Sequence, residues 1–413
     1  MDHQRLLKVI LDIGKEMIIS GAEIWRVEDS VRRMLDAYGF ARHNVWVISS
    51  CIQATVETND GEIYTQIREV GGIATNLDRL DYLNNLSRFA CANTPDPAVL
   101  EIKLAEVLAR PGLRRWVKYL ASVMAASCFT VFFNGDAADA FVAGMVVLAA
   151  TRVGETIRRH ETNPLIYNTL IAFMMEVMTI LLVYGQVGHN MSTITIGVIM
   201  LLISGLGLTN GIRDLLQRNT LSGISTISNA VLGAAGIAIG ISLAMLAFRE
   251  TVNLIQIYEL IPNAALQLLF GTVGCVGFAL LFGIKGRQII FSGIGAFCTW
   301  AVYLLAYQYI EATNFVATLV AAAFVAAYAG IMARVNKAPA TIFLTASVFP
   351  LIPGASLYYT VFGLMMKNHE MYTQQGYSLL TTCLGIAFGF IIVEVLTKYA
   401  SLIAHGYLGI GKK

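Results

Sequence analysis

After Trp116 the sequence contains ten apolar runs, each long enough to cross a lipid bilayer. They lie near 117–134, 137–154, 164–184, 191–211, 225–247, 254–284, 289–309, 315–333, 340–366 and 377–397. About 20 apolar residues in a helix span the ~30 Å hydrocarbon core, where every backbone polar group must be paired within the protein. The sequence therefore predicts an α-helical polytopic membrane protein with ten transmembrane helices.

Charged residues are concentrated ahead of these runs. The whole chain is 56% hydrophobic and 14% charged, whereas soluble domains are roughly 25% charged. Residues 1–116 hold 14 of the 29 Lys and Arg and 16 of the 27 Asp and Glu. We expect a soluble domain at 1–115, followed by two membrane halves of five helices each at 116–250 and 251–413.

The soluble segment has the pattern of a small α+β domain. Helical patterns at 5–20, 22–38, 75–90 and 97–110 enclose two β-like runs, VWVISSCIQATVET and EIYTQIREV, joined by the turn signal Asn59-Asp60-Gly61. Thr75 or Asn76 is the expected cap of the third helix. The domain contains no nucleophile elbow, P-loop or zinc spacing, and we do not expect an enzyme.

Lysine and arginine placement predicts the orientation of the spans. The start, MDHQRLLKVILDIGKEMII, is interrupted by charges and lacks a cleavage site, so we expect the N-terminus to stay in the cytosol. Ten spans then put thirteen cations inside (Lys118, Arg152, Arg158, Arg159, Arg213, Arg218, Lys285, Arg287, Arg334, Lys337, Lys398, Lys412, Lys413) and only Arg249 and Lys367 outside. This bias predicts that both termini are cytosolic.

Two of the runs carry matching helix-breaking segments. ISGLGLTN (203–210) and IPGASLYY (352–359) lie 149 positions apart, and the spans that follow share glycine-rich segments, 232–240 and 384–389. Because five is an odd number, two halves of five spans must be inverted relative to each other. Paired interrupted helices in inverted repeats are typical of secondary transporters, whose binding sites lie between them. Close packing of small residues is the competing interpretation of these glycines.

A carboxylate in the third run is the strongest candidate for proton coupling. Glu176 lies near the middle of IAFMMEVMTILLV, where a charge is costly unless it faces a cavity or a partner. Desolvation favours its protonated form. We therefore expect Glu176 to carry a proton, and a neutral glutamate bonded between helices is the alternative.

Polar residues beside the breaks are candidates for substrate contact. They are Ser204, Gly205, Thr209, Asn210, Asn229, Pro353, Gly354, Ser356 and Tyr358. Hydrogen bonding between helices is the alternative role for the hydroxyl and amide groups among them. Asp136 and Asp139, in a turn before the second run, could line an entrance or cap a helix. Asp214 could form a gate or a helix-end contact.

The remaining composition argues against metals, cofactors and nucleic acid. The six cysteines are scattered without a CxxC spacing, the six histidines do not cluster, and no basic tract is present. We expect no cofactor, no bound metal and no nucleic-acid partner. The sequence leaves open whether the chain forms a homo-oligomer.

Several segments together resemble the threonine/serine exporter family, ThrE-like proteins in the form with both halves fused. They are SGAEIWRVEDSVRRMLDAYGF, the TNLDRL helix, FTVFFNGDAADA, SGLGLTNGIRDLLQRNTLSGIS, FALLFGIKGRQIIFSGIGAFCTW and PLIPGASLYYTVFGL. The resemblance implies export of threonine and serine, driven by proton antiport across a prokaryotic cytoplasmic (inner) membrane. It covers nearly all of the chain. One departure is Ser204-Gly205, where the family commonly has Pro-Gly, and serine does not force a kink.

Two alternatives to amino-acid export remain. Split relatives of the family are linked to dicarboxylate export, but the sequence places no Lys or Arg deep in a span, and arginine is the usual partner of planar carboxylates. A zwitterion fits better, with its carboxylate at a half-helix N-terminus and its ammonium near Glu176. The second alternative is a membrane-bound sensor whose cytosolic domain is the working part.

Overall fold

The computed structural model describes residues 2–72, 74–158, 161, 163–203, 205–217, 219–252 and 263–410. They divide into two compact units. The first unit contains residues 1–114 together with two short segments, 282–286 and 336–342. The second unit contains 115–281, 287–335 and 343–413.

The first unit is an α+β domain. Its elements are α1 (His3–Ile19), α2 (Ile24–Ala37), β1 (Arg42–Ile48), β2 (Cys51–Glu57), β3 (Ile63–Glu69), α3 (Leu77–Asn93) and α4 (Pro97–Leu108). The antiparallel sheet has the order β1-β2-β3. The inner face of β2, formed by Ile52, Ala54 and Val56, is fully buried. Gly14 of α1 packs there, since a Cβ at Gly14 would lie 2.8 Å from Ile52 Cδ1.

The sequence predicted one strand where the structure has two. The run VWVISSCIQATVET turns at Ser49-Ser50 and supplies parts of both β1 and β2, which pair from Arg42–Glu57 to Ile48–Cys51. A run of that length exceeds the usual strand of about five or six residues, and folding it back pairs its backbone groups. The predicted Asn76 cap is present, with Asn76 Oδ1 accepting a bond from Arg79 N at 3.0 Å.

The segment 282–286 is bound to the start of α3 within this unit. Leu77 N donates to Phe282 O at 2.8 Å, and Lys285 Nζ lies 2.8 Å from Asp78 Oδ2. Gly283 has φ +79° at the turn between these contacts, a conformation that suits glycine. The small domain thus includes a loop from far along the chain.

In the part that the structure describes, the regular elements of the second unit are helices. Its helices are α5 (Arg115–Phe132), α6 (Ala137–Ile157), α7 (Pro164–Tyr184), α8 (Met191–Ile199), α9 (Gly205–Leu216), α10 (Thr220–Ala247), α11 (Arg249–Val252), α12 (Ala264–Leu281), α13 (Arg287–Leu304), α14 (Asn314–Asn336), α15 (Ala340–Ser347), α16 (Gly354–Met365) and α17 (His369–Ile410). Residues 253–262, in the sixth predicted span, lie outside the described part, and the first residues of α15 belong to the first unit.

Seven of the described helices are long and apolar enough to cross a membrane, and one bent pair makes eight. The bent pair is Ala340–Ser347 with Phe349–Met365, at 44°. The first and fourth of the ten predicted runs fall short for physical reasons. Helix α5 carries Arg115 and Lys118 in its first turn, and the fourth run is divided between α8 and α9. The chain is a polytopic helical membrane protein.

Close helix contacts recur 149 residues apart. A Cβ at Gly144 of α6 would lie 3.2 Å from Val123 of α5, and one at Gly293 of α13 would lie 3.1 Å from Val276 of α12. The equivalence extends to the partners, since Gly144 also faces Ser127, which lies 149 positions before Val276.

The same offset relates the glycines of α10 and α17. A Cβ at Gly236 would lie 2.6 Å from Leu165 O of α7, and one at Gly385 would lie 3.0 Å from Phe315 O of α14. Gly240 and Gly389 repeat these contacts one turn further on. Small residues let helix backbones approach in this way. The third and fifth runs thus pack as the eighth and tenth do.

Candidate functional site

Both predicted helix breaks are present. Helix α8 ends at Ile199 and α9 begins at Gly205, while α15 ends at Ser347 and α16 begins at Gly354. Ser204 lies outside the described residues. Proline accounts for the second break, because Pro350 and Pro353 cannot donate backbone hydrogen bonds. The first break needs no proline. We call residues 200–203 the first interruption and residues 348–354, which end at the first residue of α16, the second.

The two interruptions contact each other. A Cβ built on Gly354 would lie 3.0 Å from Met200 Sδ and 3.5 Å from Ile203 Cγ2. One turn further on, Leu208 of α9 and Leu357 of α16 belong to a single buried cluster. The starts of α9 and α16 therefore meet in the interior of the second unit.

A small cavity of about 130 Å³, here called the upper cavity, lies beside the second interruption. Its polar groups come from Ser356, Asn314, Thr318 and Thr382. Tyr303 Oη donates to Asn314 Oδ1 at 3.0 Å, and Asn314 Nδ2 donates to Thr382 Oγ1 at 3.0 Å. A water needs about 10–15 Å³ in this measure, so the cavity has room for a small organic molecule.

The start of α16 borders the upper cavity. The first N–H groups of a helix have no intrahelical acceptor and carry partial positive charge. Pro353, at the cap position, makes no side-chain capping bond, and Ala355 and Ser356 line the cavity. Trp300 lines it as well, and its Nε1 is buried with no acceptor in the described part of the chain. This arrangement suits a carboxylate.

The side chain of Glu176, a residue of α7, is buried against α8 and α16. Its side chain is 1% exposed, and Thr195 Oγ1 donates to Glu176 Oε2 at 2.8 Å. Oε1 has no hydrogen-bond partner among the residues that the structure describes. Tyr358 and Tyr359 of α16 are close enough to interact electrostatically with the carboxyl group. One carboxyl oxygen of Glu176 is therefore hydrogen-bonded, and the other is buried without a hydrogen bond from a described residue. The carboxyl group lies beside α16, the helix that follows the second interruption.

A larger cavity of about 530 Å³, here called the basic cavity, lies on the other side of the first interruption. Arg115, Lys118 and Arg158 line it together with one acidic residue, Glu155. Met175, Leu201 and Leu202 also line it.

The first interruption separates the two cavities. Met200 lines the upper cavity, whereas the next two residues, Leu201 and Leu202, line the basic cavity. Met175, in the basic cavity, immediately precedes Glu176 in α7. Consecutive residues of the first interruption therefore line two different cavities.

The other predicted site residues are distributed more widely. Thr209 is buried, 1% exposed, and hydrogen-bonds to Cys383. Asn210 is half-buried, and neither residue lines a cavity described above. Asn229 lies on the exposed side of α10, away from both cavities.

Asp214 and its neighbour Arg213 are buried, at 7% and 5% exposed. The guanidinium of Arg213 lies 5.9 Å from the ring of Phe390 in α17. The sequence predicts Arg213 as a cytosolic cation just after the fourth run. Packing against α17 buries its side chain, which its charged neighbours in GIRDLLQR did not indicate.

Asp136 and Asp139 form a capping box at the start of α6. Asp139 is fully buried, and its Oδ1 accepts bonds from His189 N at 2.7 Å and Asn190 N at 2.9 Å. These bonds attach the loop between α7 and α8 to α6. His189 Nδ1 lies 2.5 Å from Asp136 Oδ2.

The His189–Asp136 pair shifts both titrations. The hydrogen bond to Asp136 and the charge of that carboxylate raise the pKa of His189 above 6.5. Partial burial acts to raise the pKa of Asp136, but bonds from the Asp139 backbone and His189 outweigh it and hold the pKa below 3.8.

The polar network of Asn314 and the cations Arg115 and Arg158 were missed by sequence reasoning. Asn314 stands at the edge of its apolar run and reads as a loop residue, and Thr382 reads as a tolerated polar residue in a span. The hydrogen bond between them forms only when α14 and α17 pack together. No group of three or more metal-ligating side chains occurs within the described ranges.

Comparison with known proteins gives a consistent result. The family described as "Putative threonine/serine exporter" matches residues 8–247, and the family described as "Threonine/Serine exporter, ThrE" matches residues 267–396. The chain is 22% identical to the threonine/serine exporter of Corynebacterium glutamicum, over 96% of this chain and 84% of that protein. It is 21% identical to the probable threonine/serine exporter of Mycobacterium tuberculosis (strain ATCC 25618 / H37Rv), over 88% of this chain and 71% of that protein. No solved structure matches.

Proposed function

This chain belongs to the threonine/serine exporter family, and from that premise we propose that it exports serine and threonine by proton-coupled alternating access. Membership makes it an amino-acid exporter. The specific substrates, the proton and the cycle between inward-open and outward-open states are the proposal.

The proposed topology has ten spans with both termini in the cytosol of a prokaryotic cell. Nine of the ten apolar runs overlap a helix or an interrupted pair of helices, and the sixth overlaps α12 where it enters the described residues. The excess of lysine and arginine on one side supports the orientation. The α+β domain then lies in the cytosol, and its role in transport stays open.

The two halves are proposed to form an inverted repeat. The recurrence of glycine contacts 149 residues apart, with the same partner helices in each half, supports the repeat. Five spans per half require opposite orientations. In transporters of this architecture, interrupted helices from the two repeats face each other at the substrate site.

The contact between the two interruptions is the observation that carries the proposal. Gly354 lies against Met200, and the first interruption divides the upper cavity from the basic cavity. A small rearrangement of residues 200–203 would join the two spaces. We propose that substrate binds in the upper cavity, with its carboxylate at the α16 N-terminus, where Pro353, Gly354 and Ser356 lie.

Glu176 is proposed to carry the coupled proton. Oε1 of Glu176 has no hydrogen-bond partner among the described residues, and the carboxyl group lies close to Tyr358 near the start of α16. A buried carboxyl that loses its proton in one state and regains it in another couples the transport cycle to the proton gradient. Gly205, which begins α9, and Ser204, which lies outside the described residues, stay in the proposed site on the side of the first interruption. Thr209 and Asn210 are left out because they line neither cavity. Asn229 is left out because its side chain is exposed.

A dicarboxylate such as succinate is the second candidate substrate. The cations of the basic cavity favour it, because a doubly charged anion gains most from them. A sensor that binds without transporting is the candidate of another class, and no geometric observation favours it.

Counterflow in proteoliposomes tests the proposal. Vesicles that contain the full-length protein and are loaded with unlabelled L-serine should accumulate labelled L-serine and L-threonine, and labelled succinate should not enter. A pH gradient should drive net serine flux. Binding of serine without counterflow would support a sensor, and counterflow of succinate alone would support the dicarboxylate exporter.

A further inference from the structure

We propose that the basic cavity is the cytoplasmic vestibule of the exporter and that Arg115 and Arg158 capture the carboxylate of the substrate there. This inference rests on the proposed function, since it concerns the path by which substrate reaches the first interruption. It adds a selective binding step before the site in the upper cavity.

The position of the cavity fits an entrance. Its lining comes from the first two turns of α5, the last two turns of α6 and the first half of α7. In the proposed topology these are all cytosolic ends. From Tyr167 to Met175, helix α7 rises about 12 Å at 1.5 Å per residue, and Leu201 and Leu202 close the inner end.

The charges of the cavity are unbalanced. Lys118 Nζ lies 2.9 Å from Glu155 Oε1, and these two charges neutralise each other. Arg115 interacts electrostatically with the same carboxylate, but neither Arg115 nor Arg158 forms an ion pair with a described residue. The cavity therefore holds three cations against one carboxylate, and two of them are guanidinium groups. Guanidinium matches a carboxylate in planar, paired hydrogen bonds better than an ammonium does.

Arg158 is held in place without losing its donors. Its guanidinium carbon lies over the Tyr167 ring, 5.1 Å from the centroid, within the range of a cation–π contact. Gly154 makes room for this ring, because a Cβ there would lie 2.7 Å from Tyr167 Oη. The contact with the Tyr167 ring therefore orients the arginine and leaves its hydrogen-bond donors available.

Arg152 offers a matched control. It lies six residues before Arg158 in α6, is exposed as Arg158 is, and does not line the cavity. Loss of Arg152 removes the same charge from the same end of α6, so any effect of the overall positive potential should appear in both variants. Only an effect of the cavity itself should be confined to Arg115 and Arg158.

The experiment measures both binding and flux with the full-length protein. Arg115→Gln, Arg158→Gln and Arg152→Gln are compared for equilibrium binding of labelled L-serine in detergent and for flux from the side of the vesicle that exposes the cavity. L-serinamide, which lacks the carboxylate, serves as competitor. Succinate serves as a second competitor and distinguishes a mono- from a dicarboxylate ligand.

We expect Arg115→Gln and Arg158→Gln to raise the serine concentration for half-maximal flux by roughly tenfold, the effect of losing one charge-assisted hydrogen bond. The maximal rate should change less, and the preference for L-serine over L-serinamide should fall equally. Arg158→Lys should recover part of the preference, and Arg152→Gln should behave as wild type.

Three results would overturn the inference. They are unchanged half-saturation in both cavity variants, an equal change in Arg152→Gln, and a change with no loss of preference over L-serinamide. Failure of the proposed function looks different. The wild type would then bind L-serine with the predicted dependence on Arg115 and Arg158 and yet carry no flux.

Discussion

Gly354, the first residue of α16, lies directly against Met200 of the first interruption, with only 3.0 Å between the position of a Cβ and the methionine sulfur. The contact joins the two breaks in the chain at one point. It also marks the boundary of the upper cavity, which Met200 lines.

Enlarging Gly354 should therefore disturb transport more than folding. In Gly354→Val the branched side chain would displace Met200, and we expect serine counterflow to fall at least tenfold at unchanged expression. Overpacking of this kind typically costs about 1–3 kcal/mol. The double variant Gly354→Val/Met200→Ala should regain flux. Equal loss in the single and double variants would show that the Met200 contact is irrelevant.

Replacing Glu176 with an uncharged amide should uncouple serine flux from the proton gradient. Glu176→Gln keeps the shape and an acceptor for Thr195, whose bond to Oε2 measures 2.8 Å, but it cannot release a proton. We expect serine flux driven by a pH gradient to fall to background while serine–serine exchange persists. Thr195→Val loses about 1 kcal/mol of hydrogen bonding and should stay coupled. Normal pH-driven flux in Glu176→Gln would exclude this role.

The proposed internal repeat predicts matched effects on stability. Gly236 and its counterpart Gly385 each face the backbone of a neighbouring helix. Replacing either with alanine should lower the free energy of unfolding by about 1–3 kcal/mol, seen as a lower thermal midpoint in detergent. Gly330, which has open space around its Cβ position, is the control, and Gly330→Ala should be neutral or stabilising. Destabilisation in only one half would argue against equivalent packing.

The His189–Asp136 pair predicts a pH-dependent stability. The pKa of His189 is raised above 6.5. Its contribution to the free energy of unfolding is therefore complete below about pH 6.5 and is lost as the pH rises through the raised pKa. The pKa of Asp136 lies below 3.8. The stabilisation that depends on the Asp136 carboxylate is therefore lost only as the pH falls through that lowered pKa.

We expect the thermal midpoint of the wild type to fall between about pH 6 and 8.5, and the slope to be smaller in His189→Asn. His369→Asn, another exposed histidine near a helix start, is the matched control and should keep the wild-type slope. An identical slope in all three proteins would show that the pair does not contribute.

Hydropathy and turn signals alone predicted much of this architecture. The ten apolar runs, the helices of the first unit and the breaks before Gly205 and Gly354 all follow from residue type and spacing, because backbone pairing in an apolar environment leaves few options. The hairpin at Ser49-Ser50 was missed, since a continuous β-branched run carries no strong turn signal.

The site was harder to predict because it depends on packing between distant segments. Glu176 stood out as an isolated carboxylate, but its partner Thr195 did not. Asn229 is as polar as Asn314, yet the structure exposes the first and places the second beside the upper cavity. Which face of a helix turns inward depends on its neighbours, and a near-uniform apolar pattern does not encode it.

The most direct test of the account is whether substrate protects the upper cavity. In a functional variant with the six native cysteines replaced, Ser356→Cys places a thiol among the residues that line this cavity. We predict that saturating L-serine slows alkylation of this thiol, and that L-serinamide protects it less. An alkylation rate that does not change with L-serine, in a protein that still transports L-serine, would contradict the placement of substrate between the two interruptions.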